Sequence, residues 1–598
     1  MILSNLLILL LQIWISWGQI AWEPFRIRYF LRTGQFTKEE ETAVNKAMNQ
    51  LVKFYEQLLV VRDVQQIKLS NLSCSSATEH IRDLIAQGND VLDPDVAKVL
   101  FVRKDSASSK TCGPLTLAYA SKCAQTATMF RPHAGVVTLC PGKIGTEERD
   151  VAFMTSTLRH EVLHSMGFNS EMPSKFHHPN GSRLVMPSSC TGTIKTCASK
   201  YSIQWKTENS LRTMEFLMLE LPNVAKFVQS HFNCSRLKGA PMENEGGSGT
   251  VDVHWEKHLF GPEIMTGNID AGAYFSNLTV AVLRDSGWYE LAPQGYLLID
   301  DLVYGKGAGC EFVEKSCLDF LNSGLKGSHL DTVPWCGPKD HVSKAARDKD
   351  KSLKIRGIER CSPDRRAILS CDILHKTDRT DDKNDPYTTS YTAATKDGYI
   401  YFRDYVGQQE ITSYCPVWMV KKGTFDEIDF ENSCYNPRRR PAKINFGAQS
   451  FGPNAACLDE ASQHPFLQIH CDGNRSFPDA GGAACYQYRC HRGRLQVKPD
   501  ADDENRNRYL TCYGAGSELL IRRALKTADG KRLVTSGRVI CPPCEELCGK
   551  KPNFTCHPEL PNVVSSDLIG PICGTAKIVV TGFMIFLAGL LLILEGLK

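Results

Sequence analysis

Residues His160-Glu161-Val162-Leu163-His164-Ser165-Met166-Gly167-Phe168 constrain this chain more tightly than any other stretch. Upstream of and through them Val151, Met154, Leu158, Val162 and Met166 recur at intervals of three and four, the period of a helix with one buried face. On such a helix two histidines four residues apart stand one turn above each other, and both imidazoles can reach one point. Glu161 follows the first histidine directly, so its carboxylate lies beside that point and can take a proton from a metal-activated water. Gly167, three residues after His164, suits an abrupt helix end, because glycine accepts the backbone conformations that terminate helices. The same spacing also arises in purely structural helices, so the motif needs a partner elsewhere in the chain.

A catalytic zinc takes three protein ligands and keeps one open position, and the helix supplies two. In the compact metzincin pattern the third histidine comes three residues after the glycine, but position 170 is Ser170. Composition alone leaves His177, His178, His231, His254 and His258 as candidates.

Val253-His254-Trp255-Glu256-Lys257-His258, followed by Gly261-Pro262-Glu263-Ile264-Met265-Thr266-Gly267, resembles the leishmanolysin family, metzincins in which a long insertion separates the helix motif from the third histidine. His254 stands eleven residues before Met265, the spacing this family shows between its third ligand and the methionine of its Met-turn. Leu278-Thr279-Val280-Ala281 and Asp285-Ser286-Gly287-Trp288-Tyr289 are similar to the helix after that turn. Gly307-Ala308-Gly309-Cys310-Glu311-Phe312 with Cys317 is similar to a further family segment. Leu117-Ala118-Tyr119-Ala120 with Cys123 and Gly135-Val136-Val137 match the stretch that leads into the active-site helix. The similarity runs from about residue 20 to about residue 320.

The resemblance implies an α+β, metzincin-type catalytic domain that holds one Zn2+ per chain on His160, His164 and His254. Glu161 would then be the general base, Met265 the apolar floor beneath the metal and Gly167 the residue that ends the helix. The implied activity is that of a zinc-dependent endopeptidase acting on extracellular or cell-surface proteins and peptides. The alternative is a non-catalytic adhesion or matrix-binding glycoprotein on the same scaffold. His258 stands at the wrong distance from Met265 and is expected at the surface or behind the ligands, while His177 and His178, in a polar stretch, are expected to face solvent. Two features depart from the family: the insertion between Gly167 and His254 is longer than in the type member, and the first cysteine, Cys74, falls inside the expected catalytic region, so no cysteine switch is expected.

Both ends of the chain point outside the cell. Ile2 to Trp14 form an apolar run followed by Ser16-Trp17-Gly18, which fits a signal peptide over 1–18 cleaved after Gly18. The 24 cysteines, from Cys74 to Cys573, fit disulfides in an oxidising compartment. Cys541-Pro542-Pro543-Cys544, with Cys548 and Cys556, lacks a second paired motif and is expected to form disulfides rather than bind zinc. Sequons at Asn71, Asn180, Asn233, Asn277, Asn474 and Asn553 are candidates for glycosylation, although the segment of Asn277 should pack near the Met-turn. Ile578 to Leu594 is almost wholly apolar, with only Lys598 as a basic residue beyond it and Ser565-Ser566 upstream. That pattern fits a glycosylphosphatidylinositol signal better than a membrane span, although cleavage near Ser566 would remove Cys573 and leave an odd number of cysteines. A net charge of only +4 on 598 residues gives no reason to expect nucleic acid as a partner.

Between the ends, Phe25 to Tyr29 alternates as a strand, and Thr37-Lys38-Glu39-Glu40 is a capping box that opens a helix with Val44, Met48, Leu51, Val52, Tyr55 and Leu59 on one face. A helical run is expected around Leu211 to Val228, and Gly246-Gly247-Ser248-Gly249 gives flexibility before His254. The expected organisation is an N-terminal catalytic subdomain over 19–170, a central subdomain over 171–311, a disulfide-rich, mainly β domain over 312–560, and a spacer with the apolar tail over 561–598.

Overall fold

The computed structural model describes residues 21–566, except 114–115, 147, 172, 179–181, 185–189, 191, 248, 269–272, 324–332, 339–358, 385, 402–403, 421–433, 435–446, 453, 462–465, 471–474, 477–481, 501–507, 527–531, 550, 552–553 and 561–562. The expected signal peptide, the apolar tail and the sequon residues Asn180, Asn474 and Asn553 lie outside the described residues. Among those described, no helix is long and apolar enough to cross a membrane.

The fold is mixed α and β, and the chain divides into two compact units. One comprises the residues up to Trp335 together with Ser390–Pro416, and the other comprises Cys336–Thr389 and the residues from Val417 onward. Residues 312–322 and Trp335, expected to open the disulfide-rich domain, belong to the first unit. There Phe312 stacks on Trp335 at 4.6 Å, Phe320 meets the same indole edge-on at 5.1 Å, and Cys317 is bonded to Cys415.

The first unit is built on a four-stranded sheet. Strand β1 is Arg26–Leu31, and it leads to helix α1, Lys38–Leu58. At the start of α1 the Glu40 N–H donates to Thr37 Oγ1 at 3.2 Å, and the Thr37 N–H donates to Glu40 Oε2 at 2.9 Å, which satisfies two donors that the first turn leaves free. Strands β2 (Val96–Lys104), β3 (Ala118–Gln125) and β4 (Pro132–Leu139) complete the sheet in the order β1-β2-β4-β3. Strands β1, β2 and β4 run parallel, and β3 is the antiparallel edge. Val99, Leu100, Phe101 and Val102 of β2 are all fully buried, the continuous apolar run expected of a strand covered on both faces.

Helix α2, Glu148–Met166, carries the histidine motif and lies against this sheet. Its Leu158, Val162 and Met166 are fully buried, and each such side chain contributes about 2 kcal/mol. The approach to β4 is close enough that a Cβ on Gly135 would sit 2.9 Å from Ser165 Cβ. From β2 the fully buried Lys98 donates to Ser165 O at 2.9 Å and to Pro132 O at 3.4 Å, placing a donor at the carbonyl end of α2. Burial holds the pKa of this amine well below its ordinary value. On its other side α2 meets α1: the Tyr55 hydroxyl donates to Arg159 O at 2.7 Å, and the Arg159 guanidinium lies 4.0 Å from the Phe54 ring centre.

The run expected to be helical from Leu211 to Val228 is a strand followed by a helix. β5 (Ser199–Lys206) and β6 (Leu211–Leu219) form an antiparallel hairpin, and α3 spans Pro222–Phe232. Met214, Phe216 and Met218 point inward on alternate residues, a period of two, and Pro222 begins the helix at a position where its missing N–H is no loss. Helix α4, Asn277–Asp285, follows the third-histidine segment and is capped by Ser276.

The second unit is chiefly antiparallel sheet. Strands β7 (Ala455–Asp459), β8 (Leu467–His470), β9 (Arg475–Ser476), β10 (Ala483–His491), β11 (Arg494–Lys498), β12 (Leu510–Cys512), β13 (Glu518–Lys526), β14 (Arg532–Ile540) and β15 (Val564–Ser566) form two sheets, ordered β7-β10-β11-β12 and β9-β8-β14-β13-β15. Disulfides Cys361–Cys457, Cys434–Cys485, Cys490–Cys548, Cys512–Cys541 and Cys544–Cys556 thread its interior, and both cysteines of the Cys541-Pro-Pro-Cys544 segment are oxidised.

Candidate metal centre

Three imidazoles converge in the first unit. The Nε2 atoms of His160 and His164 are 3.1 Å apart, those of His160 and His254 are also 3.1 Å apart, and the ligand atoms of all three lie within 4.8 Å of one another. His160 and His254 are 4% and 5% exposed. Each ring is oriented by its far nitrogen: Nδ1–H of His160 donates to Ile264 O at 2.5 Å, that of His164 to Phe168 O at 2.7 Å, and that of His254 to Thr250 O at 2.9 Å. With the proton on Nδ1, every Nε2 presents a lone pair, so the short Nε2 to Nε2 separations cannot be hydrogen bonds between neutral rings. Burial disfavours protonation as the remedy. It holds His160 well below the usual histidine value, with help from its two neighbours, lowers His164, and pushes His254 down to about 3.

A cation at the shared focus would resolve the conflict. Tetrahedral zinc bound by imidazole nitrogens at about 2.0–2.1 Å sets those nitrogens about 3.3 Å apart, close to the spacing found. Carbonyl acceptors behind metal-binding histidines fix the tautomer in this way. Glu161 is 7% exposed; burial raises its carboxyl to about 8, opposed by the backbone N–H of Ala120 on the edge strand β3.

Local structure explains how 90 residues of separation between His164 and His254 are closed. α2 ends at Met166, and Gly167 has φ +135°, where a Cβ would lie 2.9 Å from Trp288 Cζ3. Phe168 then packs edge-on against Trp255 at 4.9 Å. The Trp255 N–H donates to Met265 O at 2.8 Å, which zips the His254 segment to the turn containing fully buried Met265. Glu263, to which sequence reading gave no role, organises that turn: its carboxylate accepts from Met265 N–H at 2.6 Å, Ser276 Oγ at 2.8 Å and Thr279 Oγ1 at 2.6 Å. Its place two residues before Met265 was the only available signal.

The remaining histidines are engaged elsewhere. His258 is fully buried rather than at the surface, with Nδ1 2.5 Å from Glu256 Oε1 and its ring 5.2 Å from Trp205. His231 Nε2–H donates to Tyr304 O at 2.8 Å. His177, expected to face solvent, is 6% exposed: Gly287, at φ +73°, leaves room for the His177 backbone to cross it, and the His177 N–H donates to Ser286 O at 3.0 Å. His178 is half-buried. Among the described residues one other cluster has metal-ligating atoms, Cys234, Cys310 and Glu314, but its cysteines form a disulfide and Glu314 pairs with Arg236. The sequon residues Asn71, Asn233 and Asn277 are exposed, Asn277 despite buried neighbours on both sides.

Three oriented imidazoles, two of them buried and one half-buried, beside a carboxylate are the arrangement of a metal-dependent hydrolase. The family model described as leishmanolysin, a peptidase family, matches residues 36–554. The chain belongs to the leishmanolysin family of metallopeptidases. It is 27% identical over 592 residues to the leishmanolysin-like peptidase of Drosophila melanogaster, covering 88% of this chain and 81% of that one. It is 29% identical over 527 residues to the leishmanolysin-like peptidase of Caenorhabditis elegans, covering 83% and 73%. Leishmanolysin of Leishmania tropica is 22% identical over 438 residues, covering 72% and 52%.

Proposed function

We propose that this chain is a zinc-dependent endopeptidase of extracellular or cell-surface proteins, with zinc on His160, His164 and His254 and Glu161 as general base. The observation that carries the reading is the set of three Nδ1–H groups committed to Ile264 O, Phe168 O and Thr250 O, which leaves three Nε2 lone pairs facing one point. Zinc there supplies Lewis acidity, bringing the pKa of water toward neutrality and polarising a peptide carbonyl. Glu161 accepts the proton of the attacking water and passes it to the departing amine nitrogen. Strand β3, at the open edge of the sheet and tied to Glu161 through Ala120, offers backbone groups to an extended substrate segment. Entry to the secretory route, sugar on Asn71, Asn233 and Asn277, and a C-terminal lipid anchor or membrane segment belong to the same reading.

Glu161→Gln is expected to lower kcat/KM on a peptide substrate by roughly 10³-fold while one zinc per chain is retained, measured by single-turnover hydrolysis and metal analysis. His254→Ala should instead lower the zinc content. Undiminished hydrolysis by Glu161→Gln would end the mechanism, and zinc loss confined to a His258 variant would end the ligand assignment.

A further inference from the structure

Residues 397–415 come from the cysteine-rich part of the sequence, yet they belong to the first unit. Cys415 is bonded to Cys317 at one end of this strap. Near the other end Arg212 donates to Asp397 O at 3.0 Å and lies 3.5 Å over the Tyr399 ring, and the Glu208 N–H donates to Ile400 O at 2.8 Å. In between, Trp205 Nε1–H donates to the Tyr401 hydroxyl at 2.9 Å, which donates to Ser413 O at 2.8 Å. The strap is thus fastened along the β5–β6 hairpin.

One side chain joins it to the segment that carries the third histidine. Glu245 accepts from the Tyr399 hydroxyl at 2.8 Å through Oε1, and from the Ser413 N–H at 2.9 Å and Ser413 Oγ at 3.1 Å through Oε2. Ser413 and Tyr414 both hold left-handed backbone, at φ +52° and +51°, a conformation that costs non-glycine residues about 1–2 kcal/mol each and persists where surrounding contacts over-determine it. From Glu245 the connection to the His254 backbone is short. The Glu245 N–H donates to Glu243 Oε1 at 2.9 Å, the Glu243 N–H donates to His254 O at 2.9 Å, and Glu243 Oε2 accepts from the Lys257 N–H at 3.1 Å. A second route runs through packing: a Cβ on Gly267 would land on Thr250 Cγ2 and lie 2.7 Å from Ile411 Cδ1, and Thr250 O is the acceptor that orients His254 Nδ1.

We propose that Glu245 is a positioning residue for the metal centre, the link through which the strap 397–415 holds the His254 segment in its ligating geometry. The inference rests on the reading of His160, His164 and His254 as metal ligands. Partners behind first ligands typically affect metal affinity by 10–100-fold, and Glu245 acts on one ligand of three.

The test measures zinc affinity of the full chain by competition with a graded chelator, alongside the melting temperature of the metal-free protein. Glu245→Ala is expected to bind zinc roughly 10-fold more weakly, Tyr399→Phe roughly 3-fold more weakly, and Glu245→Gln, whose amide oxygen still accepts from Ser413 while its NH2 can donate to the Tyr399 hydroxyl oxygen, within about 3-fold of the wild type. Unchanged zinc affinity in Glu245→Ala with a lowered metal-free melting temperature would overturn the proposal and leave Glu245 a structural contact only. If Glu245→Ala does not fold, the Tyr399→Phe, Ser413→Ala double variant, which keeps the carboxylate, carries the same test with an expected loss of roughly 10-fold. A wild-type chain that binds no zinc overturns the underlying ligand assignment instead, an outcome visible before any variant is made.

Discussion

In the first unit the side chains that hold the histidine helix in place are chiefly apolar: Leu158, Val162, Leu163 and Met166 are fully buried. In the second unit one buried cluster comprises Cys361, Cys434, Cys457 and Cys485 with Ile368, Ala455 and Ala483, and it stands beside a larger apolar core that includes Leu458, Leu495, Val497, Leu519, Ile521 and Val539; half-cystines take the place of branched side chains in the smaller cluster. Cystines of the first unit, such as Cys190–Cys197 and Cys317–Cys415, instead pin loops and the strap. A metal-binding helix needs rotational precision, which close packing of branched side chains supplies; in the smaller cluster of the second unit cross-links add a restriction of the unfolded ensemble to that packing.

That contrast can be broken by experiment, best read by hydrogen exchange unit by unit because a two-unit chain has no single unfolding free energy. Leu158→Ala should destabilise the first unit by roughly 3–5 kcal/mol, and a cost under about 1 kcal/mol would mean that packing is not what holds α2. Removing Cys434–Cys485 as a pair of alanines opens a loop with a sequence separation of 51 and should cost the second unit about 4 kcal/mol. Exchange rates unchanged in β7 and β10 would remove the cystine side of the comparison.

Acid should reach the first unit through His231, 6% exposed, whose pKa burial lowers to about 4. Its folded-state value lies below the unfolded one, so the unfolded chain binds the proton more readily; the stability is complete above about pH 6.5 and is lost as pH falls toward 4, by up to about 3 kcal/mol. His231→Phe should make that slope shallower in first-unit exchange measured between pH 7 and 4, leaving the shares of His80 and His133, which burial also lowers to about 4. Smallest of all, loss of Cys190–Cys197, with a separation of only 7, should cost about 2 kcal/mol. A larger effect there than at Cys434–Cys485 would reverse the assignment of roles.

Local patterns were legible in the sequence. The capping box at Thr37 and Glu40 and the histidine helix repeat within a few residues, and the structure builds both. His254 could be chosen only through the family spacing to Met265, because the folding that brings it to His160 is not local. What escaped has physical reasons. Ile264 O, Phe168 O and Thr250 O orient the rings, but backbone carbonyls leave no trace in residue identity. β6 resembled a helix because Leu211, Met214, Leu217 and Met218 also fit a spacing of three and four, and only burial of alternate residues separates the two readings. The strap was hidden because pairing among many cysteines cannot be deduced from their order, and Cys317–Cys415 is the bond that returns it to the first unit.

Lys98 makes the seat of the histidine helix chemically observable. Its amine, enclosed between β2 and Ser165 O, is shut off from acylating reagents while α2 lies on the sheet. Each departure of the helix would bare a primary amine for the lifetime of the opening, so the rate at which Lys98 is acylated counts those openings one residue away from His164.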